Sequence, residues 1–539
     1  MSKIPALCAL AASFACGWIG IERSLTAFKS FISAPTVHSP NITLCPQAPS
    51  MSPGRHAALN EQLNNRYSSE TFKLASYQSL AAAIRIPTES YDDLLPVGQD
   101  ERWNVFDDFH ALLKESFPLM LAGLSCPPAQ LVHLFARRYT SLTIVTVNTY
   151  GLVIHWQGSN HYLKPILLTA HQDVVPVDRS TEDQWLHPPY SGFYNGTWIF
   201  GRGSVDDKAD LVAQLITVNS LLEGDFKPMR TIVLAFGIDE EASGTEGAGK
   251  LAIYLEETYG ANGFAMLLDE GEGYGENLQE GIIFARPGIS EKGYLDTRVE
   301  VFSPGGHSSI PPDHTSIGIL SLLIASIEAN PHPPRLLRNG TAFLAAQCAV
   351  EYSPDGQGKF PSEMKDLARR AHDDDDAALQ KFAKALFAAD PFFKVMSRTT
   401  QAVDIVSGEL KINALPERAE AVINHRIAEH SSSQQVKDHL TDLIKPLAEK
   451  HQFSLQSFGE DVPDSPYKIV LSDAFYSSLE PSPIAPILNN PVYDVLSGTI
   501  IATLQSSKRY CADGVIVSPS LGLGNTGTKI RSSITDLYS

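Results

Sequence analysis

Five residues able to hold a cation stand where apolar runs of the chain stop. The run 166–170 ends in His171-Gln172-Asp173, the run 231–238 in Asp239-Glu240-Glu241, and the run 264–268 in Asp269, while a glycine turn, Gly201-Arg202-Gly203-Ser204-Val205, leads into Asp206-Asp207. Continuous Ile/Val/Leu runs of this length read as buried strands of a parallel sheet, and such sheets bind ligands beyond the carboxyl ends of their strands. One sheet edge therefore collects His171, Asp206, Glu240, Glu241 and Asp269. That much like charge at one edge requires a cation.

Spacing suggests roles. His171 and Asp173 are two apart in extended chain, so their side chains share a face, and the carboxylate orients the ring of a histidine ligand. Asp206 sits where a turn becomes a helix; a helix cap is one reading, a carboxylate bridging two ions about 3.5–4 Å apart is the other. Glu240 and Glu241 are adjacent and cannot point the same way, so one can bind metal while the other serves as general base. Asp269 is taken as a ligand because it is the first residue past its run. Glu270 and Glu272 are left as loop acids, and Asp207 and Lys208 as supporting residues. Imidazole and carboxylates without thiolates fit zinc, with cobalt or manganese as substitutes.

The elements that must carry these residues alternate strand and helix from 165 to 269, the pattern of an α/β sheet. After Asp206 a helix is expected with Leu211, Val212, Leu215, Ile216 and Leu222 on one face. Upstream, 70–86 and 103–117 read as helices and 143–147 and 151–156 as strands. Past 293 the character changes: strands at 295–302, 399–406, 419–427 and 453–458 with helices at 316–329 and 433–450 form a small α+β unit. The expected organisation is a catalytic domain over 55–293 and 461–539, with 294–460 inserted. An acidic, Lys-rich stretch at 362–384 reads as a solvated helical insertion.

At 539 residues the chain exceeds one ordinary core, and its net charge of −19 argues against nucleic-acid partners. Residues 4–21 are an uncharged apolar run, followed to 54 by a Pro/Ser/Thr-rich tether, so 1–22 is read as a signal peptide or a membrane anchor. Sequons at Asn41, Asn195 and Asn339 agree with the secretory pathway. Cys45, Cys126, Cys348 and Cys511 are scattered without a CxxC pair; one disulfide is possible but not assignable, and buried or unpaired thiols are expected.

Together the segments Leu168-Thr-Ala-His171-Gln-Asp173, Gly201-Arg-Gly-Ser-Val-Asp206-Asp-Lys208, Asp239-Glu240-Glu241-Ala-Ser-Gly-Thr245 and Pro304-Gly-Gly-His307-Ser-Ser309 resemble the M20 metallopeptidase family. The resemblance is closest to its carboxypeptidase S (Gly-Xaa carboxypeptidase) branch, with N-acyl-amino-acid hydrolase relatives, and runs from about residue 70 to Gly524. It implies a zinc-peptidase-like catalytic domain with a mostly parallel sheet flanked by helices, and an inserted ferredoxin-like domain for dimerisation and lid closure. It implies two Zn2+ ions per subunit, one held by His171, Asp206 and Asp269, the other served by Asp206 and Glu241. Glu240 is then the base and proton shuttle, Asp173 orients His171, and His307 stabilises the oxyanion, often in the partner subunit's site. Asn413 and Arg426 match the family's contacts to the substrate carboxylate. The implied reaction removes carboxyl-terminal residues from small peptides, the alternative is hydrolysis of N-acyl amino acids, and the implied place is a vacuolar lumen or the cell exterior.

The carboxyl end departs from that pattern. Where the family carries Asp and then His, this chain has Gly527 and Ile530, and no histidine follows His451. The second metal position would keep only Asp206 and Glu241. Three readings stay open: a divergent carboxyl terminus on an active enzyme, a one-metal enzyme, and a non-catalytic homologue that binds peptides through Asn413 and Arg426.

Overall fold

The structure is a computed structural model, and it describes residues 43–121, 142–271, 273–277, 281–353, 359–408, 411–507, 514–526 and 537–538. Its largest sheet has six strands in the spatial order Leu142–Val147, Gly151–Trp156, Ile232–Gly237, Ile166–His171, Met266–Leu268 and Leu537–Tyr538. The first two pairings are antiparallel and the other three parallel. The strands that end in acids or histidine are thus the parallel ones.

Alternation along these strands serves two cores. Leu234 and Phe236 face a cluster with Leu211, Leu215 and Leu222 of the helix Lys208–Glu223 and Leu80 of the helix Glu70–Ile84. Val233 and Ala235 face Leu251 and Leu255 of the helix Ala248–Tyr259. A strand covered on both faces has no polar positions to show, which is why 231–238 reads as an unbroken apolar run. Truncating Phe236, which is fully buried, would cost about 3–5 kcal/mol.

A second sheet has five strands, ordered Thr400–Ser407, Arg418–Ile427, Gly293–Phe302, Lys468–Asp473 and Ser454–Ser457. Gly293–Phe302 alternates buried and half-buried residues along its length, as a sheet with one covered face must. The cover is the helices Ser316–Ala329 and Ser433–Lys450, whose Ile319, Leu323, Leu440 and Ile444 pack on Leu295, Val299, Ile423 and Leu471. Thr315 and Ser432 cap these two helices by accepting the N–H groups of Gly318 and Gln435. The strand Lys468–Asp473 lies past residue 460, so the α+β unit extends beyond its expected end. Its short apolar stretch follows Pro463 and Pro466, which masked it as part of a return linker.

Two further corrections concern 341–396 and the cysteines. The stretch 362–384 is no solvated insertion: the helices Ser362–His372 and Asp376–Ala389 join Thr341–Glu351 and Pro391–Met396 around a core that includes Phe343, Met364, Ala368, Phe382 and Leu386. Its charges occupy the outer faces. Cys45 and Cys348 form a disulfide, with Cα atoms 4.8 Å apart, that ties the segment preceding the first helix to Thr341–Glu351. The expectation of unpaired thiols fails for this pair because the two cysteines meet only through the tertiary fold. Cys8, Cys16, Cys126, Cys511, Asn41 and the run 4–21 lie outside the described residues. Asn195 and Asn339 are exposed, and no helix among the described residues is long and apolar enough to cross a membrane.

Candidate metal centre

The register of the parallel strands sets the site. His171 is level with Gly237, so the turn after Ile232–Gly237 falls beside the imidazole. Asp173, fully buried, is the link between them. Its Oδ1 lies 3.1 Å from His171 Nδ1, and its two oxygens accept the backbone N–H groups of Glu240 and Glu241 at 3.1 Å each. One carboxylate therefore fixes the ring and the placement of both glutamates. With Nδ1 so engaged, His171 presents Nε2, which lies 2.9 Å from Asp206 Oδ1 and 3.5 Å from Glu270 Oε2.

The remaining positions are held as tightly. Asp207 Oδ2 accepts the His171 backbone N–H at 3.0 Å. Gly203 has φ +81°, and a Cβ there would come within 2.8 Å of Val174 Cγ1, so the turn that delivers Asp206 needs glycine. Asp239 accepts the N–H groups of Glu246 and Gly247 at 2.7 Å, closing the turn that carries Glu240 and Glu241. Buried Lys208 donates to the Ala83 and Ile86 carbonyls at 3.0 and 2.6 Å, fastening the helix Lys208–Glu223 to the end of Glu70–Ile84.

Electrostatics mark the same place. Burial and then the charge of Asp206 push Glu241 up to about 7; burial and then Glu270 push Asp210 up to about 7. Burial raises Glu270 too, with Asp269 and Asp206 adding to it. His171 goes the other way: burial disfavours its charged form, yet Asp173, Glu270 and Asp206 hold its pKa well above the ordinary range. So many buried carboxylates raise one another's pKa and that of His171, the setting in which a bound divalent ion would be favoured.

Not every expected residue converges. Asp269 is opposite Thr169, next in register after Leu168 and Leu268, and its Oδ1 takes the Thr169 hydroxyl at 2.5 Å. Glu270 reaches His171 as well. Among the described residues, the groups whose donor atoms all lie within 4.8 Å of one another are His171, Asp206 and Glu241, and His171, Asp207 and Glu270. Glu270, read from the sequence as a loop acid, therefore stands at the imidazole, beside the expected Asp269. His307 and Asn413 meet elsewhere, on a two-stranded ribbon in which Gly306–His307 pairs with Ala414–Leu415 and the Ser308 N–H donates to the Asn413 carbonyl. Both are exposed, and His307 Nδ1 lies 2.7 Å from Ser309 Oγ. Arg426 lies over the Tyr294 ring at 5.7 Å and donates to Asn525 Oδ1 at 3.0 Å. Gly527 and Ile530 lie outside the described residues.

An imidazole with its far nitrogen held by a carboxylate, facing carboxylate oxygens and no thiolate, suits zinc or another borderline divalent ion. The class this fold and site define is a metal-dependent hydrolase on a mixed α/β sheet. The chain belongs to peptidase family M20/M25/M40, whose sequence profile matches residues 167–479. It is 35% identical to carboxypeptidase S of Saccharomyces cerevisiae across 92% of this chain and 81% of that one. It is 28% identical to the N-fatty-acyl-amino acid synthase/hydrolase of Mus musculus across 87% of this chain and 80% of that one. An M20 family metallo-carboxypeptidase from Sulfolobus solfataricus shares the fold, with a TM-score of 0.51 at 16% identity over 86% of this chain and 90% of that one.

Proposed function

We propose that this chain is a zinc-dependent metallo-carboxypeptidase that removes carboxyl-terminal residues from small peptides. The observation that carries the reading is the Asp173 carboxylate, which aims His171 Nε2 toward Asp206 and sets Glu240 and Glu241 at the same rim. His171, Asp206 and Asp269 would hold one zinc, with Glu270 close to the imidazole, and Asp206 with Glu241 would serve the family's second ion, weakly held. Zinc, when bound, supplies a Lewis acid that polarises the scissile carbonyl and acidifies water. Glu240 takes the proton from the attacking water and returns it to the leaving amine. Arg426, stacked on Tyr294, grips the substrate's terminal carboxylate, and Asn413 lies with His307 on the ribbon that covers the substrate.

The unit 294–473 would act as lid and dimerisation domain against the catalytic part. The exposed Ile405 and Val406 of the edge strand Thr400–Ser407 support a homodimer through this unit, with His307 serving the partner subunit's oxyanion. The disulfide and the exposed sequons Asn195 and Asn339 support a glycoprotein of the secretory pathway, vacuolar or secreted, with the run 4–21 as leader or anchor. The resemblance to an N-fatty-acyl-amino acid hydrolase favours N-acyl amino acids as the second substrate class. Hydrolysis of a blocked Gly-Leu dipeptide by the zinc-loaded chain, lost in Glu240→Ala, is the test. Binding of that dipeptide with no turnover at any zinc concentration would establish a peptide-binding homologue instead.

A further inference from the structure

A cavity of about 410 Å³ opens between the short sheet containing Ile282–Ala285 and the helices Thr341–Glu351 and Pro391–Met396. None of the residues of the metal centre lines it. One wall is apolar and aromatic, formed by Phe284 with Phe360, Phe393 and Met396, of which the last three are buried, and the rest of the lining is polar. The charged side chains are unequal. Lys359 is neutralised by Asp390 at 2.7 Å, whereas Arg286, exposed at the rim, makes no ion pair among the described residues. In a chain of net charge −19, a guanidinium that no acid among the described residues pairs, beside an aromatic wall, is a selective feature. The hollow is also braced: Cys348 and Tyr352 lie on the side of the cavity helix that packs on Cys45, Ile282, Phe284 and Ile516, and the disulfide crosslinks that contact. A concave site of this size, with an aromatic wall on one side and charged and hydroxyl groups on the other, is a form that small-molecule sites take.

We infer that this cavity binds an apolar monocarboxylate, with its carboxylate on Arg286 and its hydrocarbon against Phe284, Phe360, Phe393 and Met396. Guanidinium and carboxylate match in charge and in fork geometry, and the aromatic wall removes the hydrocarbon from water. The site is separate from the proposed hydrolytic centre and does not depend on it.

Calorimetric titration of the full chain with decanoate tests this without any turnover. One equivalent should bind saturably. Arg286→Glu should weaken binding about tenfold or more, Ala349→Trp, which fills the hollow, should abolish it, and decyltrimethylammonium should not bind there. Arg286 is exposed, so Arg286→Glu is expected to fold, and unchanged melting confirms that each variant is compared as native protein. Decanoate binding that is equal in wild type and Arg286→Glu, or that persists in folded Ala349→Trp, would overturn the assignment. So would the absence of saturable binding. Loss of peptidase activity in any preparation would bear only on the hydrolytic centre.

Discussion

The metal edge of the large sheet and the ribbon bearing His307 contrast in how they are held. At the edge the functional groups are tied to buried carboxylates: His171 through both Nδ1 and its backbone N–H, and Glu240 and Glu241 each through its N–H to Asp173. On the ribbon, the His307 side chain hydrogen-bonds only Ser309 among the described residues, Asn413 takes part through its backbone, and neighbouring Ile310 and Ile412 are 82% and 99% exposed. The first region is finished within one chain. The second has the marks of a surface completed by something else, substrate or a second copy. Groups that must match a reacting centre closely are placed by strand ends and buried acceptors, and groups that must move onto it are left on short exposed pairs.

Replacing Glu240 with Gln should break the edge most severely. Turnover of a blocked dipeptide should fall by about 10²–10⁴-fold with zinc content unchanged, because a proton carrier and not a ligand is lost. Equal zinc loss would make Glu240 a ligand.

Acid should separate the two regions next. His425, buried in the five-stranded sheet, has its pKa pushed down to about 4 by burial, and the neighbouring His332, with His439 and Arg398 close by, is likewise at about 4. The folded chain then leaves these rings neutral while the unfolded chain protonates them near 6.5. The contribution of these rings to stability should be flat above pH 6.5 and fall as the pH drops towards 4, by up to about 3 kcal/mol for one fully buried ring. Thermal melting across that range should show the slope, and His425→Phe should flatten it. An unchanged slope would remove His425 as its cause.

At the metal itself, Asp269→Asn should weaken zinc binding about 10–100-fold in competition with a chelator, and Glu270→Gln less. The reverse order would make Glu270 the ligand in its place. Arg426→Ala should raise KM about tenfold for a peptide with a free carboxyl end, and leave KM for the amidated peptide unchanged. The smallest effect tests the ribbon. Co-expression of Glu240→Gln with His307→Ala should recover about a quarter of wild-type activity if the ribbon serves the partner's site, and none if it serves its own.

Much of the edge was legible because its logic is local. His171-Gln-Asp173 is two residues of alternation, and Glu240-Glu241 is the first break after an apolar strand buried on both faces. Where legibility failed, the deciding contact came from a neighbouring strand. Asp269 was found as the first residue past its run, but that Glu270 also comes within 3.5 Å of His171 Nε2 shows only in the fold. The same holds for Lys468–Asp473, a strand only because Gly293–Phe302 is there to pair with it, and for Cys45 and Cys348, which are 303 residues apart. Arg426 was found by its motif, but its tie to Asn525 needed the chain to return from 99 residues away.

That cystine also turns most of the molecule into a covalent ring. Every acid of the metal centre and His307 lie inside the ring, while Asn413, Arg426 and Asn525 lie outside it. A single peptide-bond cut anywhere from 46 to 347, such as in an exposed turn of the catalytic part, would release no fragment until a reductant opened the bridge. Nicked protein would therefore migrate as two pieces on a reducing gel and stay joined on a non-reducing one.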